Sequence, residues 1–325
     1  MSGNRFLYAL VFTVGISTLG AEIAAARLMA PFFGASTIVW ANTIGIVLTA
    51  LSVGYWLGGR LGDRYPDPRR LCLTVLGASV MVAAIPFIAQ PFFEISVDAL
   101  DEIEAGAFVG SLFAVLVLIA VPVAVLGTVS PWAIRLSVPD VQHSGRVAGR
   151  LYAISTVGSL LGTMLAALVL IPFAGTQRTF IVFAVMLALV AAAGLGWRYL
   201  AAPIALAAVL AIPVGVVKSA EDGEVIYEAD SEHQYIRVVQ EPDGDRLLEL
   251  NEGQAVHSLL RSGSYLTGDV WDGYLVLPLA GLGRAPERIA ILGNAAGPTA
   301  RAYGEYFPDT IVDGVEIDPD LEDVG

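Results

Sequence analysis

The residues best placed to do chemistry lie near the end of the chain, where an apolar strand runs into small residues. Glu287–Gly293 ends in glycine, and Asn294-Ala-Ala-Gly297 follows before Pro298, a favourable first helical position. Such a turn brings backbone N–H groups and a helix N-terminus close to a ligand. A second strand, Thr310–Glu316, ends in a carboxylate that could accept hydrogen bonds from both ribose hydroxyls. This spacing predicts the start of a Rossmann-like α/β domain that binds a nucleoside-type ligand.

The glycine pattern of this turn is incomplete. Ala295 stands where a G-x-G-x-G turn has its middle glycine. The alternative interpretation is therefore a plain βαβ core without a ligand, in which Glu316 is a surface acid at the end of a strand. Both interpretations stay open at this point.

The elements that must carry this site follow a long apolar region. The chain of 325 residues is 56% hydrophobic and 15% charged, which is too apolar for one soluble globular domain. Seven stretches approach the roughly 20 residues needed to cross a bilayer. They are Phe6–Met29, Thr37–Gly59, Leu71–Phe93, Ala107–Thr128, Leu151–Ile171, Thr179–Leu195 and Tyr199–Val217.

Charge divides the chain at the end of this region. Residues 1–218 carry 12 basic and 9 acidic residues, a net charge of +3, and residues 219–325 carry 6 and 22, a net charge of −16. A large basic nucleic-acid surface is excluded by this count. The single cysteine, Cys72, excludes a disulfide framework and a cysteine-based zinc site, and no metal site is predicted.

Loop charges predict an orientation. With seven spans, most arginines fall on one side, and the positive-inside rule places the amino terminus in the cytoplasm. An odd number of spans would put the acidic region outside the cell. A re-entrant segment within Thr179–Val217, or a missed span, would reverse this. The sequence predicts a multi-pass protein of the plasma membrane and leaves the side of the acidic region open.

Two polar features lie in the apolar region. Glu22 sits inside a span, where a charge is expensive and usually faces a partner or a cavity. Arg27 could pair with it and Asn42 could assist. The alternative is a buried polar clamp that only holds helices in register. Gly59-x-x-x-Asp63-Arg64 with Arg69-Arg70 resembles the loop between the second and third helices of major facilitator transporters. The alternative is an ordinary positively charged loop.

The acidic region begins with short strands. Glu224–Ala229, Tyr235–Gln240 and Arg246–Leu250 are separated by turn residues and predict a small antiparallel unit. The predicted organisation is an α-helical multi-span domain of about seven spans, facilitator-like, over residues 1–218. A β unit over 219–265 and an incomplete Rossmann-like domain over 266–325 follow it.

Several segments together form a more specific pattern. In the apolar region they are Gly20-Ala-Glu22-x-x-x-x-Arg27, Gly54-Tyr-Trp-Leu-Gly-Gly59 and Gly149-Arg-Leu-Tyr-Ala153. In the acidic region they are Ser231-x-x-Gln234-x-Ile236, Leu250-Asn-Glu-Gly253, Thr267-Gly-Asp-Val-Trp271-Asp272, and Ile291-Leu-Gly293 through Glu316-Ile-Asp318-Pro319. Over nearly the whole chain this combination resembles the spermidine synthase (polyamine aminopropyltransferase) family, in particular its members with an amino-terminal multi-span domain.

The resemblance implies transfer of an aminopropyl group from decarboxylated S-adenosylmethionine to a polyamine such as putrescine, without a metal. It implies that Gln234 contacts the adenosyl co-substrate and that Glu316 holds its ribose. The adenosyl-binding turn would consist of Gly293, Asn294, Ala295 and Gly297. Asp272 would bind the amine, and its alternative role is a helix-start carboxylate that complements the helix dipole.

The chain also departs from the family pattern. His233 replaces a tyrosine of the family's strand motif, and the chain ends at Gly325, before the position of the family's catalytic aspartate. No residue is therefore assigned as the catalytic base, and we expect the given chain to be inactive as a fragment. The alternatives are a membrane transporter or membrane-anchored binding protein, and an S-adenosylmethionine-dependent methyltransferase-like protein. The expected partners are a polyamine and the lipid bilayer, with homo-oligomerisation left open.

Overall fold

The computed structural model describes residues 3–34, 36–100, 106–138, 143–212, 215–220, 222–251, 255–322 and 324. The chain divides into two compact units, residues 1–217 and residues 218–325. We describe each unit by itself and call them the helical unit and the polar unit.

Helices make up the helical unit. Their bounds are α1 Gly3–Phe33, α2 Thr37–Arg64, α3 Pro68–Leu100, α4 Gly106–Ala114, α5 Ala120–Gly127, α6 Val129–Ser137, α7 Ser144–Leu165, α8 Ile171–Ala174, α9 Thr176–Leu195 and α10 Ala201–Val209. Wide π-helical turns, Val115–Ile119 and Ala166–Leu170, join α4 to α5 and α7 to α8. Because these joints keep the helical path, several of the helices combine into longer rods.

Six of these rods are long and apolar enough to cross a membrane. Numbered spans 1 to 6, they are Asn4–Phe33, Thr37–Arg64, Pro68–Ser96, Phe108–Ser137, Ser144–Ala174 and Thr176–Leu195. Each has at least the roughly 20 residues that the hydrocarbon core requires. The length and composition of the spans indicate a membrane protein.

The seventh predicted span, Tyr199–Val217, was wrong. Gly196, with a φ of 108°, ends α9, and the described residues then form a 3₁₀ turn, Trp197–Leu200, and the nine-residue helix α10. Trp197–Val209 would extend over about 20 Å as an α-helix, which is short of a hydrocarbon core of about 30 Å. The described helical unit therefore has an even number of spans.

Glycines allow the spans to pack closely. A Cβ at Gly158 or Gly162 of α7 would overlap the carbonyl oxygen of Phe12 or Ile16 in α1. A Cβ at Gly54 or Gly58 of α2 would overlap a carbonyl oxygen of span 4 in the same way. Close backbone approach through small residues is how membrane helices associate when lipid supplies no hydrophobic drive.

These two glycine pairs reveal an internal repeat. Ser52-Val-Gly-Tyr-Trp-Leu-Gly58 in span 2 and Thr156-Val-Gly-Ser-Leu-Leu-Gly162 in span 5 share the pattern [S/T]-V-G-x-x-L-G. Span 2 packs on span 4 as span 5 packs on span 1, and span 3 packs on span 6. Phe33, at the end of span 1, lies against Gly110, at the start of span 4. Spans 1–3 and 4–6 are therefore repeats of opposite direction, an arrangement found in many transporters.

One end of the helical unit is rich in arginine. Contacts of Asp63 with Arg135, of Tyr8 with Arg150, and of Arg69 with Tyr199 place the corresponding helix ends together. Among the described residues this arginine-rich end carries two acids, Asp63 and Asp67. Its arginines are Arg5, Arg60, Arg64, Arg69, Arg70, Arg135, Arg146, Arg150 and Arg198.

The polar unit holds two sheets. An antiparallel sheet runs in the order β1 Glu224–Asp230, β2 Tyr235–Gln240, β3 Arg246–Leu250 and β4 Val256–Leu260. The predicted small antiparallel unit is thus confirmed, with β4 as an additional strand. A parallel pair consists of β5 Arg288–Leu292 and β6 Ile311–Val315, and the other helices are α11 Val270–Leu282, α12 Pro298–Tyr306 and α13 Pro319–Glu322. An apolar cluster of Ile236, Val238, Leu248, Leu250 and Leu321 packs α13 against β2 and β3.

Candidate functional site

The turn between β5 and α12 has the backbone shape of a glycine turn. Gly293, Ala295 and Gly297 all have positive φ angles, of 77°, 46° and 73°. Ala295 thus adopts the left-handed conformation that the missing glycine would adopt, which costs a residue with a Cβ roughly 1–2 kcal/mol. Its methyl group packs against the apolar cluster of β2, β3 and α13 and offsets part of this cost. Alanine in place of the middle glycine of the G-x-G-x-G pattern therefore adds a methyl group and preserves the shape of the turn.

The N–H groups of this turn are used within the protein. Gly293 and Asn294 donate to the carbonyl of Val315, and Gly297 donates to the carbonyl of Asn294. The N–H of Ala295 donates to Glu316 Oε2 at 2.8 Å, and that of Ala296 donates to Ser258 Oγ at 3.2 Å. All five N–H groups from 293 to 297 are therefore occupied. A pyrophosphate, which binds such turns through free N–H groups, finds no donor in this stretch.

Glu316 follows β6 and ties two turns together. Its Oε2 accepts from Ala295, and its Oε1 accepts from the N–H groups of Ile317 and Asp318 at 2.8 and 3.2 Å. A carboxylate offers about four acceptor positions, so three are occupied and one remains. The structure brings Glu316 to the 293–297 turn, where it can accept one further hydroxyl hydrogen bond without losing an existing one.

Gln234 is hydrogen-bonded to Asp318, which lies just after β6 of the parallel pair. The Nε2 of Gln234 donates to Asp318 Oδ2 at 3.0 Å, and Ser231 Oγ donates to the same oxygen at 2.6 Å. Asp318 is fully buried, so its carboxylate needs these donors. Two segments that are 84 residues apart in sequence are joined at this point. Gln234 thus lies beside the β6 turn and is engaged by Asp318.

Asn294 carries an acceptor without a partner. Its Oδ1 is buried and has no hydrogen-bond partner among the described residues. A buried acceptor left unpaired costs about 1–3 kcal/mol, so a donor from a ligand would stabilise this position.

Two cavities meet at the turn, and both are lined by Asn294 and Ala295. One, of about 400 Å³, is aromatic and is lined further by His257, Trp271, Tyr274 and Tyr303. The other, of about 280 Å³, is polar and is lined further by Glu316, Glu322 and Arg301. Together their size falls in the range of small-molecule sites. The turn therefore separates a compartment lined by aromatic rings from one that contains two carboxylates and one guanidinium.

Asp272 lies in the first turn of α11, and its carboxylate is hydrogen-bonded to the residues just before the helix. Its Oδ1 accepts from the N–H and hydroxyl of Thr267, each at 2.9 Å, and its Oδ2 accepts from the N–H of Gly268 at 2.7 Å. Partial desolvation raises the pKa of this carboxyl, but the Thr267 and Gly268 hydrogen bonds outweigh it and leave the pKa below its ordinary value. These contacts favour the helix-start role over the binding of an amine.

The structure also places the polar residues predicted within the spans. Glu22 is 9% exposed within α1, and Arg27 lies in the same helix. Asn42 directs both of its amide hydrogens to α4, onto Phe108 O and Ser111 Oγ at 2.9 Å each. Asn42 therefore joins span 2 to span 4. Asp63 pairs with Arg135 of α6 at 2.8 Å and ties the ends of spans 2 and 4.

Two residues of the site had no assigned role in the sequence. Asp318 and Ser231 stood inside the quoted motifs, but only the tertiary structure shows that they bind each other. The sequence signal was the polar pair Glu316-x-Asp318 directly after an apolar strand. Glu252 and Gly253, which belong to another of the quoted segments, lie outside the described residues.

Comparisons of the chain with protein-family models, with curated proteins and with solved structures gave no match. The functional interpretation therefore depends on the geometry of the site and on the residues that form it.

Proposed function

We propose that this chain is a membrane-bound relative of the spermidine synthases and supplies the co-substrate site for aminopropyl transfer from decarboxylated S-adenosylmethionine to a polyamine such as putrescine. The observation that carries the proposal is the convergence at the β5–β6 edge of three segments of the resemblance. Gln234 reaches this edge through Asp318, and Glu316 reaches the 293–297 turn through Ala295. In this proposal the parallel pair with α12 is the beginning of a Rossmann-like domain.

The occupied N–H groups favour an adenosyl ligand over a dinucleotide. With the donors from 293 to 297 bonded internally, this stretch is suited to a ligand without a pyrophosphate. Adenosyl compounds with a sulfonium or thioether meet this condition. A methyltransferase-like protein would use the same turn. The turn therefore supports an adenosyl ligand more strongly than it supports a polyamine as the molecule that receives the transferred group.

In the proposed complex, the remaining acceptor position of Glu316 takes a ribose hydroxyl and Asn294 Oδ1 takes a ligand donor. The two carboxylates in the polar cavity favour a cationic sulfonium over an anion, and Arg301 partly offsets them. The described residues orient the co-substrate. The transfer itself also needs a base that accepts the amine proton, and we assign that role to no residue.

Binding of 5′-methylthioadenosine to the full chain tests the proposal. We expect calorimetry to detect binding and Glu316→Gln to weaken it about 10- to 100-fold, because a hydrogen bond to a charged acceptor is worth about 1.5–3 kcal/mol. Glu316→Gln keeps an oxygen for the Ala295 N–H but loses the acceptor for the N–H groups of Ile317 and Asp318, so thermal unfolding of the variant is measured beside its binding. The matched control is Glu287→Gln, an exposed acid paired with Arg284. No binding by the unaltered chain, or equal affinity in both variants, would contradict the proposal.

The number of spans determines on which side of the membrane the polar unit lies, and therefore whether it can reach the co-substrate. With six spans, both Gly3 and Leu195 lie at the arginine-rich end, which the positive-inside rule assigns to the cytoplasm. We infer that the polar unit is cytoplasmic, on the side where a cell makes its adenosyl compounds. With seven spans the polar unit would instead lie outside the cell, away from these compounds.

We expect labelling with a membrane-impermeant maleimide to place Ser262 inside the cell. In a Cys72→Ser background, Ser262→Cys of the polar unit should be labelled only after lysis. Phe173→Cys, 83% exposed at the opposite end of the bundle, should be labelled in intact cells. Labelling of Ser262→Cys before lysis would refute the cytoplasmic assignment.

A further inference from the structure

The arginine-rich end of the helical unit presents cations that are held by aromatic rings. The guanidinium of Arg60 lies 3.7 Å from the centre of the Trp56 ring, one helical turn away in α2. Both side chains are exposed, and Trp56 is 57% exposed. A stacked guanidinium keeps its edge N–H donors free in a fixed plane, which suits two parallel bonds to a phosphate.

A second group of arginines surrounds Tyr65, in the loop between α2 and α3. Arg70 lies 4.3 Å and Arg64 lies 5.3 Å from the centre of its ring. The backbone oxygen of Tyr65 accepts from Trp132 Nε1 at 3.0 Å, which fixes the loop against α6. Two exposed cations are thus held on one tyrosine that is itself anchored.

Charge at this end is strongly unbalanced. Within the part of the chain that the structure describes, the nine arginines face two acids, and one of these, Asp63, is already paired with Arg135. The other, Asp67, lies 3.9 Å from Arg70 in an exposed pair, which is worth little. The excess positive charge sits where apolar helices end, the level at which lipid headgroups lie.

We propose that the arginine-rich end is a binding surface for anionic phospholipid headgroups, with Arg60 on Trp56 and Arg70 on Tyr65 as its two phosphate-binding positions. The exposed Trp56 ring places its apolar face among acyl chains, while Arg60 extends toward the headgroups. The geometry selects a membrane lipid because each cation sits beside apolar, lipid-accessible helix surface. A soluble phosphate would use the charge but gain nothing from that surface.

Native mass spectrometry of the full chain in detergent tests this surface. We expect phosphatidylglycerol to bind more tightly than phosphatidylcholine with the same acyl chains, and more weakly as salt rises. The double variant Arg60→Gln/Arg70→Gln should lose about 10- to 30-fold in affinity for phosphatidylglycerol, since each arginine near a lipid surface contributes about 1 kcal/mol. Arg178→Gln, an exposed arginine at the opposite end, is the matched control and should bind as the unaltered chain does.

Three results would overturn the proposal: equal affinity for the two lipids, equal loss in the double variant and the control, or displacement of phosphatidylglycerol by inorganic phosphate at the same concentration. If the glutamine variant does not fold, Arg60→Lys/Arg70→Lys keeps the charge but not the planar donor pair. We expect it to bind about threefold more weakly, and unchanged binding would refute the two phosphate-binding positions.

Discussion

Replacing Arg237 with alanine should cost the antiparallel sheet about 3–5 kcal/mol, the usual result of removing one partner from a buried ion pair. Arg237 is 4% exposed on β2 and stands opposite Glu249 of β3, to which its Nε donates. Its Nη1 also donates to the carbonyls of Lys218 and Ser219, at 3.1 and 2.9 Å. Without the guanidinium, a largely buried carboxylate and two backbone carbonyls lose their donor.

The neighbouring Glu228 and Tyr235 do not replace the lost cation. Glu228 of β1 stands on the other side of Arg237 in the sheet and accepts from the hydroxyl of Tyr235. Burial and the nearby Glu228 carboxylate raise the pKa of Tyr235 above its ordinary range, so the phenol stays protonated and donates. The hydroxyl is therefore committed to Glu228, and Glu249 would remain unpaired.

Hydrogen exchange of the β1–β3 backbone amides in the full chain measures this loss. Arg246→Ala removes an exposed arginine from the adjacent strand and should change the free energy of opening by less than about 0.5 kcal/mol. Arg237→Met combined with Glu249→Leu removes both charges and should recover most of the loss. Equal protection in Arg237→Ala and Arg246→Ala would show that the ion pair contributes nothing.

The spans were largely readable from the sequence because length and hydropathy determine them. Six of the seven predicted stretches correspond to observed spans, with ends that differ by up to several residues. The seventh failed because apolar composition continues past Gly196, whereas the helix ends there on a positive φ. Hydropathy reports which residues avoid water, and a backbone break within an apolar stretch leaves it unchanged.

Part of the candidate site could also be predicted from the sequence, because several of its residues lie in one continuous segment. Strand, small-residue turn, helix and strand-end acid follow each other locally, so Gly293, Gly297 and Glu316 could be placed together from spacing. The contact of Gln234 with Asp318 spans 84 residues and depends on how β2 meets α13. The internal use of the turn's N–H groups likewise depends on Ser258 in β4, a strand that the sequence pattern did not predict.

The internal repeat of the helical unit could likewise be recognised only in part from the sequence. The pattern [S/T]-V-G-x-x-L-G occurs at Gly54–Gly58 and Gly158–Gly162, but seven residues recurring once are weak evidence in a sequence rich in glycine and leucine. The structure gives both copies the same role, because each faces the backbone of another span. The repeat is identified by the equivalent packing of the two glycine pairs more than by sequence similarity.

Adjacent glycines in α2 should therefore respond in opposite directions to alanine. A Cβ at Gly58 would lie 2.6 Å from the Cα of Thr128, so spans 2 and 4 must separate, at a cost of about 1–3 kcal/mol or more. A Cβ at Gly59 meets no atom within 4 Å, and Gly59→Ala should be neutral or stabilise the helix by up to about 1 kcal/mol. Unfolding by SDS in mixed micelles, followed by circular dichroism, measures both changes.

The repeat extends this prediction to span 5. Gly162→Ala should behave as Gly58→Ala does, because its Cβ would lie 2.7 Å from the Cα of Ile16. Gly149→Ala in the same helix has open space and is the control. If the helices can separate slightly at no cost, all four variants will unfold at similar SDS fractions, and close backbone contact does not stabilise the bundle. Loss confined to Gly58→Ala and Gly162→Ala would establish that both repeats depend on the same contact.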